Sequence, residues 1–356
     1  MDSRAVVVLG TGGTIAGTAD SARDHIGYSA AQVGVQALLQ GMADLAGLSE
    51  AGVPLRTEQV AQIDSKDMDF VVWQALAQRC QQLLDDAQVR AIVITHGTDT
   101  LEETAWFLHC VLGVAHHTLG KPLNKPVVLT CAMRPATAIA PDGPQNLIDA
   151  LTVATTPGAS GVLVVCAGEL HGAQQVQKVH PYRLHAFSSG DGGPLGWVEG
   201  ARLRWAHNNV PNWPLALASQ AQAALEKIAS GALWPRVEVL LSYAGASGTT
   251  VDALVHSGVQ GLVLAATGNG TLHHALEAAL WRAQASGVAV RIATRCPLGQ
   301  VLALPGSRFP SAPQGLSPVK ARISLMLELM GGATDLAPAC RIPSPMCAKP
   351  RSSVRG

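Results

Sequence analysis

The chain has 356 residues, of which 48% are hydrophobic, 14% charged and 4% aromatic, and its 25 basic residues are matched by 25 acidic ones. That length allows about two domains, each with apolar material for its own core, and it excludes a disordered chain. The balanced charge supplies no field for nucleic acid or an anionic membrane surface, so neither is expected as a partner.

Cysteines stand at 80, 110, 131, 166, 296, 340 and 347, an odd set without a C-x-x-C pair. Neither a disulfide framework nor a zinc ribbon is expected from that spacing. No apolar run approaches the ~18 residues of a membrane span. Met1-Asp2-Ser3-Arg4 leads into an apolar strand without a leader pattern. The expected location is cytoplasmic.

In chain order, the apolar run 6–9 has the character of a strand covered on both faces. It ends in Gly10-Thr11-Gly12-Gly13-Thr14-Ile15-Ala16-Gly17, and the polar stretch 18–28 beyond is long enough for a flap. A helix is expected over about 32–45, then a strand over 58–63 that ends at Asp64-Ser65. Residues 68–84 carry apolar side chains at 72, 73, 76, 80, 83 and 84, which is helical spacing. Strand 91–95 runs into His96-Gly97-Thr98-Asp99-Thr100, and Thr100 with Glu103 forms a capping-box pattern for the next helix. Strand 126–131, helix 145–155 and strand 161–166 follow. Residues 168–197 read as hairpins and loops around Lys178.

Prolines 211 and 214 and the pair Trp234-Pro235 mark a connection at 207–235. It separates an N-terminal domain, 1–206, from a smaller one, 236–335, and 336–356 reads as a mobile tail. The second domain reads as strands 237–242, 261–266 and 288–294, with helices from about 251, over 272–285 and over 319–329. This alternation predicts an α/β fold: a larger, doubly wound, mostly parallel sheet domain followed by a smaller C-terminal α/β domain. In such sheets ligands bind at the carboxyl ends of the strands. Thr11 and Thr14, Asp64 and Ser65, Thr98 and Asp99, and Met133-Arg134-Pro135 therefore gather on one edge.

The glycine-rich turn is G-x-G-G-x-x-x-G, one residue off the dinucleotide fingerprint, and no Lys-Ser/Thr pair ends it as in a P-loop. What remains is a loop that approaches a ligand closely and presents two hydroxyls. A threonine hydroxyl becomes a nucleophile when a neighbour takes its proton, and Tyr28 or Lys178 can do so if its pKa is lowered. The plainer alternative is that Thr14 hydrogen-bonds its own loop. Thr98 and Asp99 precede a helix N-terminus, where an anion is favoured, yet Asp99 there also simply complements the helix dipole. Lys178 taken alone is a solvated lysine until a partner is found. His116-His117 and His273-His274 lack metal-ligand spacing, and no metal site is expected.

Thr-Gly-Gly-Thr-Ile-Ala at 11–16 and His-Gly-Thr-Asp-Thr at 96–100 resemble the two signatures of the bacterial-type L-asparaginase family. Supporting matches are Asp64-Ser65 before Asp67-Met68, Ala132-Met133-Arg134-Pro135, Asp142-Gly143-Pro144 with Asn146-Leu147, Gly193-Pro194-Leu195-Gly196 and Gly268-Asn269-Gly270. The resemblance implies an amidohydrolase that converts asparagine to aspartate and ammonia without metal or organic cofactor. By position, Thr14 resembles the primary nucleophile, with Tyr28 on the flap activating it. Thr98, Asp99 and Lys178 resemble a second triad. Ser65 and Asp99, with Asp64 beside them, resemble the groups that hold the substrate's α-carboxylate and α-amino ends. Asn269 resembles a residue that reaches the site from a partner subunit of a homotetramer built as a dimer of dimers.

Elementary chemistry agrees with these roles. A small zwitterion needs donors for its carboxylate and an acid for its ammonium. The oxyanion formed by Thr14 attack needs backbone donors, for which the Thr98 and Ala132 amides are candidates. One departure stands out. Many relatives place an acid in the segment before the last helix, and here no Asp or Glu occurs between Glu277 and Glu328. The expectation is that asparagine is strongly preferred over glutamine. Two other readings are a related amidase subunit feeding ammonia to an amidotransferase, and a non-catalytic amino-acid-binding module.

Overall fold

The computed structural model describes residues 4–40, 53–118, 124–206, 218–302 and 307–332. The first sheet is built from β1 (Ala5–Gly12), β2 (Leu55–Ile63), β3 (Val89–Thr95), β4 (Val127–Thr130) and β5 (Val162–Cys166). These strands are interleaved with α1 (Val35–Gln40), α2 (Phe70–Asp85), α3 (Leu101–Thr118) and α4 (Gly143–Thr155). Beyond them come β6 (Glu169–Gly172), a two-stranded hairpin of β7 (Gln177–Lys178) and β8 (Phe187–Ser188), then β9 (Gly196–Glu199) and β10 (Arg202–Trp205). The sheet order is β10-β9-β6-β5-β4-β3-β1-β2, parallel from β5 to β2 and antiparallel from β6 outward.

β1 is buried along its whole length, and its side chains divide by the period of two that a strand imposes. Val6 and Val8 pack with Val35 and Leu39 of α1 and with Leu147 and Ala150 of α4. Val7 and Leu9 pack on the other face with α2 and α3 through Leu76, Cys80, Ala105 and Leu108. Each fully buried Val or Leu contributes about 1.5–3 kcal/mol, and the one buried polar side chain of the strand, Thr11, donates its hydroxyl to the Thr95 carbonyl at 2.9 Å. The apolar period of α2 appears as burial of Trp73, Leu76, Ala77, Cys80, Leu83 and Leu84.

The second sheet, β11 (Val237–Leu241), β12 (Gly261–Ala266) and β13 (Ala289–Thr294), is parallel. It carries α6 (Thr249–His256) and α7 (His274–Ala285), and the chain then enters α8 (Pro318–Gly331). His273 caps α7 by accepting the Ala275 N–H at 3.2 Å. The stretch 207–235, expected as a connection, contains α5 (Ala218–Ala229), whose Ala224 and Ile228 are buried in the same core as α3 and α8. That core runs without a break from the first sheet to Val237, Val263 and Ala289 of the second. Trp106 of α3 donates its indole N–H to Ser324 Oγ of α8 at 3.1 Å. The expected helix 32–45 is seen over 35–40; residues 41–45 and the expected tail 336–356 lie outside the described residues. Among the described residues no helix is long and apolar enough to cross a membrane.

The strand order fixes where a ligand can sit. From β1 the chain goes to β2 on one side, then returns to place β3 on the other. The carboxyl ends of β1 and β3 therefore flank the switch point, where loops diverge and leave a crevice.

Candidate active site

The loops that leave β1 and β3 meet backbone to backbone. Gly12 and Gly13 have φ of 102° and 80°, a conformation that side chains with a Cβ resist. A Cβ on Gly13 would stand 2.3 Å from the Cα of Gly97, and one on Gly97 would stand 2.4 Å from Ser65 Oγ. The glycines are thus the condition for bringing the ends of β1, β2 and β3 together.

Thr14 opens a short 3-10 turn, Thr14–Ala16, and is 5% exposed. Its Oγ1 lies 2.6 Å from Tyr28 Oη. Tyr28 arrives on an excursion closed by an antiparallel bridge between Thr18 and Ser29. Asp24 stiffens the tip by accepting the Ile26 and Gly27 N–H groups, and Ile26 stands free in solvent. Burial raises the Tyr28 phenol above its ordinary 10.0; the Thr14 hydrogen bond opposes this, and the charges of Asp64 and Asp99 add to it. The condition set for Tyr28 as a base, a lowered pKa, is therefore not met. A neutral phenol accepts the Thr14 proton when it gives up its own in the same step.

Lys178 brings the second cluster together. Its Nζ donates to Thr98 Oγ1 at 2.8 Å and to Asp99 Oδ1 at 2.6 Å. The lysine side chain is 16% exposed, which rules out the solvated-surface alternative. Thr98 is itself buried. Below it, His96 is wholly buried, its Nδ1 2.7 Å from the Gly97 carbonyl and its Nε2 2.9 Å from Thr104 Oγ1. A carbonyl only accepts, so Nδ1 carries the proton and the Thr104 hydroxyl donates to Nε2. That hydroxyl in turn accepts the Trp73 indole N–H at 2.9 Å. Burial lowers the His96 pKa to about 4, so the ring is neutral and its tautomer is fixed.

Ser65 Oγ accepts the Asp99 N–H at 3.2 Å, and the Thr100 hydroxyl donates to the Ser65 carbonyl at 2.7 Å. Thr100, anticipated as half of a capping box, thus ties the β2 and β3 loops together. Asp64 caps the turn Ser65–Asp67 and takes the Lys66 ammonium at 2.7 Å, which places it on the rim. Ala132 is buried against Ile15 and Ala16, beneath the Thr14 turn.

Two braces carried no assigned role in the sequence. The Asp142 carboxylate accepts the Met133 and Arg134 N–H groups at 2.9 Å each, fixing the turn after Ala132. Asn146 donates to the Cys131 carbonyl and accepts the Ala167 N–H, both at 2.9 Å, which locks the end of β4 to the end of β5. The Asp142-Gly143-Pro144 and Asn146 pattern was the signal, but its function emerges once the strands lie side by side. Asn269 is set apart from this cluster. Its side chain pairs with the backbone of Leu302, accepting the N–H at 2.7 Å and donating to the carbonyl at 3.2 Å. It lines a cavity of about 740 Å³ in the second domain, together with Glu277, Ile292 and Phe309.

The cluster offers a hydroxyl with a phenol partner, a second hydroxyl with an ammonium and a carboxylate, and the N-terminus of α3. Such a set suits attack on a carbonyl and retention of a small zwitterion. Two family models match the chain. Residues 5–211 match the family model "Asparaginase, N-terminal", and residues 236–337 match "Glutaminase/Asparaginase C-terminal domain". The chain is similar to glutaminase-asparaginase of Pseudomonas fluorescens biotype A, with 34% identity across 91% of this chain and 86% of that protein. L-asparaginase 2 of Escherichia coli K12 is 33% identical across 91% of this chain and 88% of its own length. The crystal structure of a probable cytoplasmic L-asparaginase from Campylobacter jejuni superposes with a TM-score of 0.80 at 32% identity, covering 92% of this chain and 95% of that one.

Proposed function

The chain belongs to the asparaginase family, hydrolases that act on amides, and from that premise we propose that it hydrolyses L-asparagine to L-aspartate and ammonia through a threonine ester. The observation that carries this reading is the 2.6 Å pairing of the buried Thr14 hydroxyl with a neutral Tyr28 phenol. Thr14 Oγ1 attacks the side-chain amide carbon. Its proton passes to Tyr28 Oη as the phenol's own proton passes to the amide nitrogen, the C–N bond breaks, and ammonia leaves. The oxyanion is met by the Thr98 and Ala132 amides, a contribution of a few kcal/mol, about 2.7–4 for one such donor.

Water then cleaves the β-aspartyl ester. Thr98 and Lys178, with Asp99 orienting the ammonium, present that water, and its proton returns to Thr14. Ser65 with the N-terminus of α3 receives the α-carboxylate, and Asp99 with the rim acid Asp64 receives the α-ammonium. Asn269 acts on the site of a second copy in a homotetramer, and the enzyme works in the cytoplasm without metal or organic cofactor.

Asparagine is preferred over glutamine because the acid-free segment between Glu277 and Glu328 leaves one fewer charge to hold the longer substrate's α-ammonium. The alternative is a dual amidase, favoured by the likeness to a glutaminase-asparaginase. Ammonia release by the wild type and Thr14→Ala separates these readings. We expect asparagine to exceed glutamine in kcat/KM by about 10–200-fold, the range that one methylene commands. Silence with asparagine between about pH 6 and 9 would refute the enzyme. Comparable rates with both amides would refute the preference alone, and a fully active Thr14→Ala would refute the nucleophile alone.

A further inference from the structure

We propose that Glu102 and Lys320 are positioning residues that set the reach of Lys178 to Thr98, joining the last helix of the second domain to the second triad of the first. The proposal rests on the reading above, in which Lys178 and Thr98 take part in amide hydrolysis.

β7 is a two-residue strand in a two-stranded hairpin, too short to hold a lysine in place by itself. What holds it lies inside the protein. Lys320 of α8 is 1% exposed, and its Nζ donates to the carbonyls of Ala173, at 3.0 Å, Gln174, at 2.9 Å, and Val176. Those carbonyls belong to the turn that joins β6 to β7, and Val176 stands two positions before Lys178, with Gln177 between them. Three acceptors take up the three N–H bonds of an ammonium, so the turn is gripped at three points.

Glu102 grips the other side. It lies in the first turn of α3, buried, and it accepts the backbone N–H of Lys178 while facing the Lys320 charge. The same helix start presents Thr98 and Asp99. Glu102 Oε2 is buried without a hydrogen-bond partner. A carboxylate kept half-satisfied in an apolar setting is costly, and packing alone would favour a leucine there. Glu103, His109, Cys110 and His171 also face this charge pair, and Arg322 faces Glu103. The 2.8 Å contact between Lys178 and Thr98 is thus the outcome of an internal frame that a substrate does not touch.

The test compares Lys320→Met, Glu102→Leu and Glu102→Gln, each in the wild-type and in the Lys178→Met background. We expect Lys320→Met and Glu102→Leu to lower kcat for asparagine by about 10–100-fold with KM held within about threefold, since a misplacement of about 1 Å costs that much. Glu102→Gln, which keeps the acceptor for the Lys178 N–H, recovers most of that loss. In the Lys178→Met background the same substitutions change kcat by less than about twofold, because residues acting through one group are not additive. Equal losses in both backgrounds would assign the pair to folding alone and overturn the proposal, as would unchanged kcat in Glu102→Leu. That last variant swaps a buried carboxylate for an apolar side chain of similar size and keeps the test open if Lys320→Met does not fold. A Lys178→Met enzyme of wild-type kcat would instead overturn the functional reading of Lys178 and this proposal with it.

Discussion

Tyr28→Phe removes one oxygen and keeps the ring on the flap, so it isolates the 2.6 Å contact with Thr14. A neutral hydrogen bond of this kind contributes about 0.5–1.5 kcal/mol to folding, a small change for the whole domain. A proton relay in the transition state contributes about 10²–10⁴-fold, or roughly 2.7–5.4 kcal/mol at 1.36 kcal/mol per decade. The two effects differ enough to be separated by measuring kcat beside the urea midpoint. We expect kcat for asparagine to fall by at least about 100-fold while the midpoint hardly moves. Burial also raises the phenol above 10.0, so Tyr28 does not ionise near neutrality. The kcat profile of Tyr28→Phe should therefore keep the wild-type shape between about pH 6 and 9 at lower height. A variant within about threefold of wild type would refute the relay. Loss of a wild-type ionisation near neutrality on substitution would refute the neutral phenol.

Gly13→Ala places a Cβ 2.3 Å from Gly97 Cα at a φ of 80°, and the backbone cost alone is about 1–3 kcal/mol. We expect a lower urea midpoint and a loss of activity; an unchanged midpoint would show that the two loops part freely. Asp142→Asn leaves one oxygen for the Met133 and Arg134 N–H groups, orphaning one of them at about 1–3 kcal/mol. Ammonia release should drop with it, and wild-type kcat/KM would remove Asp142 from the frame of the site. Burial holds His96, His109 and His171 at about 4, below the roughly 6.5 of an unfolded chain, so only the unfolded chain takes up these protons between the two values. The histidines' share of stability is complete above about pH 6.5 and falls towards pH 4 by up to about 1.4 kcal/mol per unit for each, with Glu102, raised by burial to about 7, offsetting part of the loss; a urea midpoint that stays flat over that range would refute neutral burial.

The fold was legible wherever hydrophobicity varies sharply along the chain. The run 6–9 could be read as a strand covered on both faces, and Val6 and Val8 do bury opposite to Val7 and Leu9. α5 escaped that reading for a physical reason. Its apolar stripe is short and mostly alanine, and the prolines on either side, 211, 214 and 235, mark the stretch as a connection. What makes it a helix of the core is the burial of Ala224 and Ile228, one turn apart, which only neighbouring elements can supply.

The site divides along a similar line. Its hydroxyls were visible because glycine and threonine gather where an apolar run stops, a local pattern. Strand order then turns pattern into proximity, because β3 lies beside β1 and their carboxyl ends share the switch point. The groups that tune those hydroxyls are remote in sequence. Lys178 meets Thr98 from 80 positions away, between neighbours that give no hint of a buried ammonium. Lys320 reaches its carbonyls from at least 144 positions away. Tyr28 lies in the polar stretch after the first loop, but the direction of its pKa depends on how deeply the phenol is buried. Local sequence names the hydroxyls, whereas their hydrogen-bond partners come from packing between distant segments. Substitutions in the frame should therefore lower kcat only while Lys178 is present, and substitutions of the loop hydroxyls should lower it in either background.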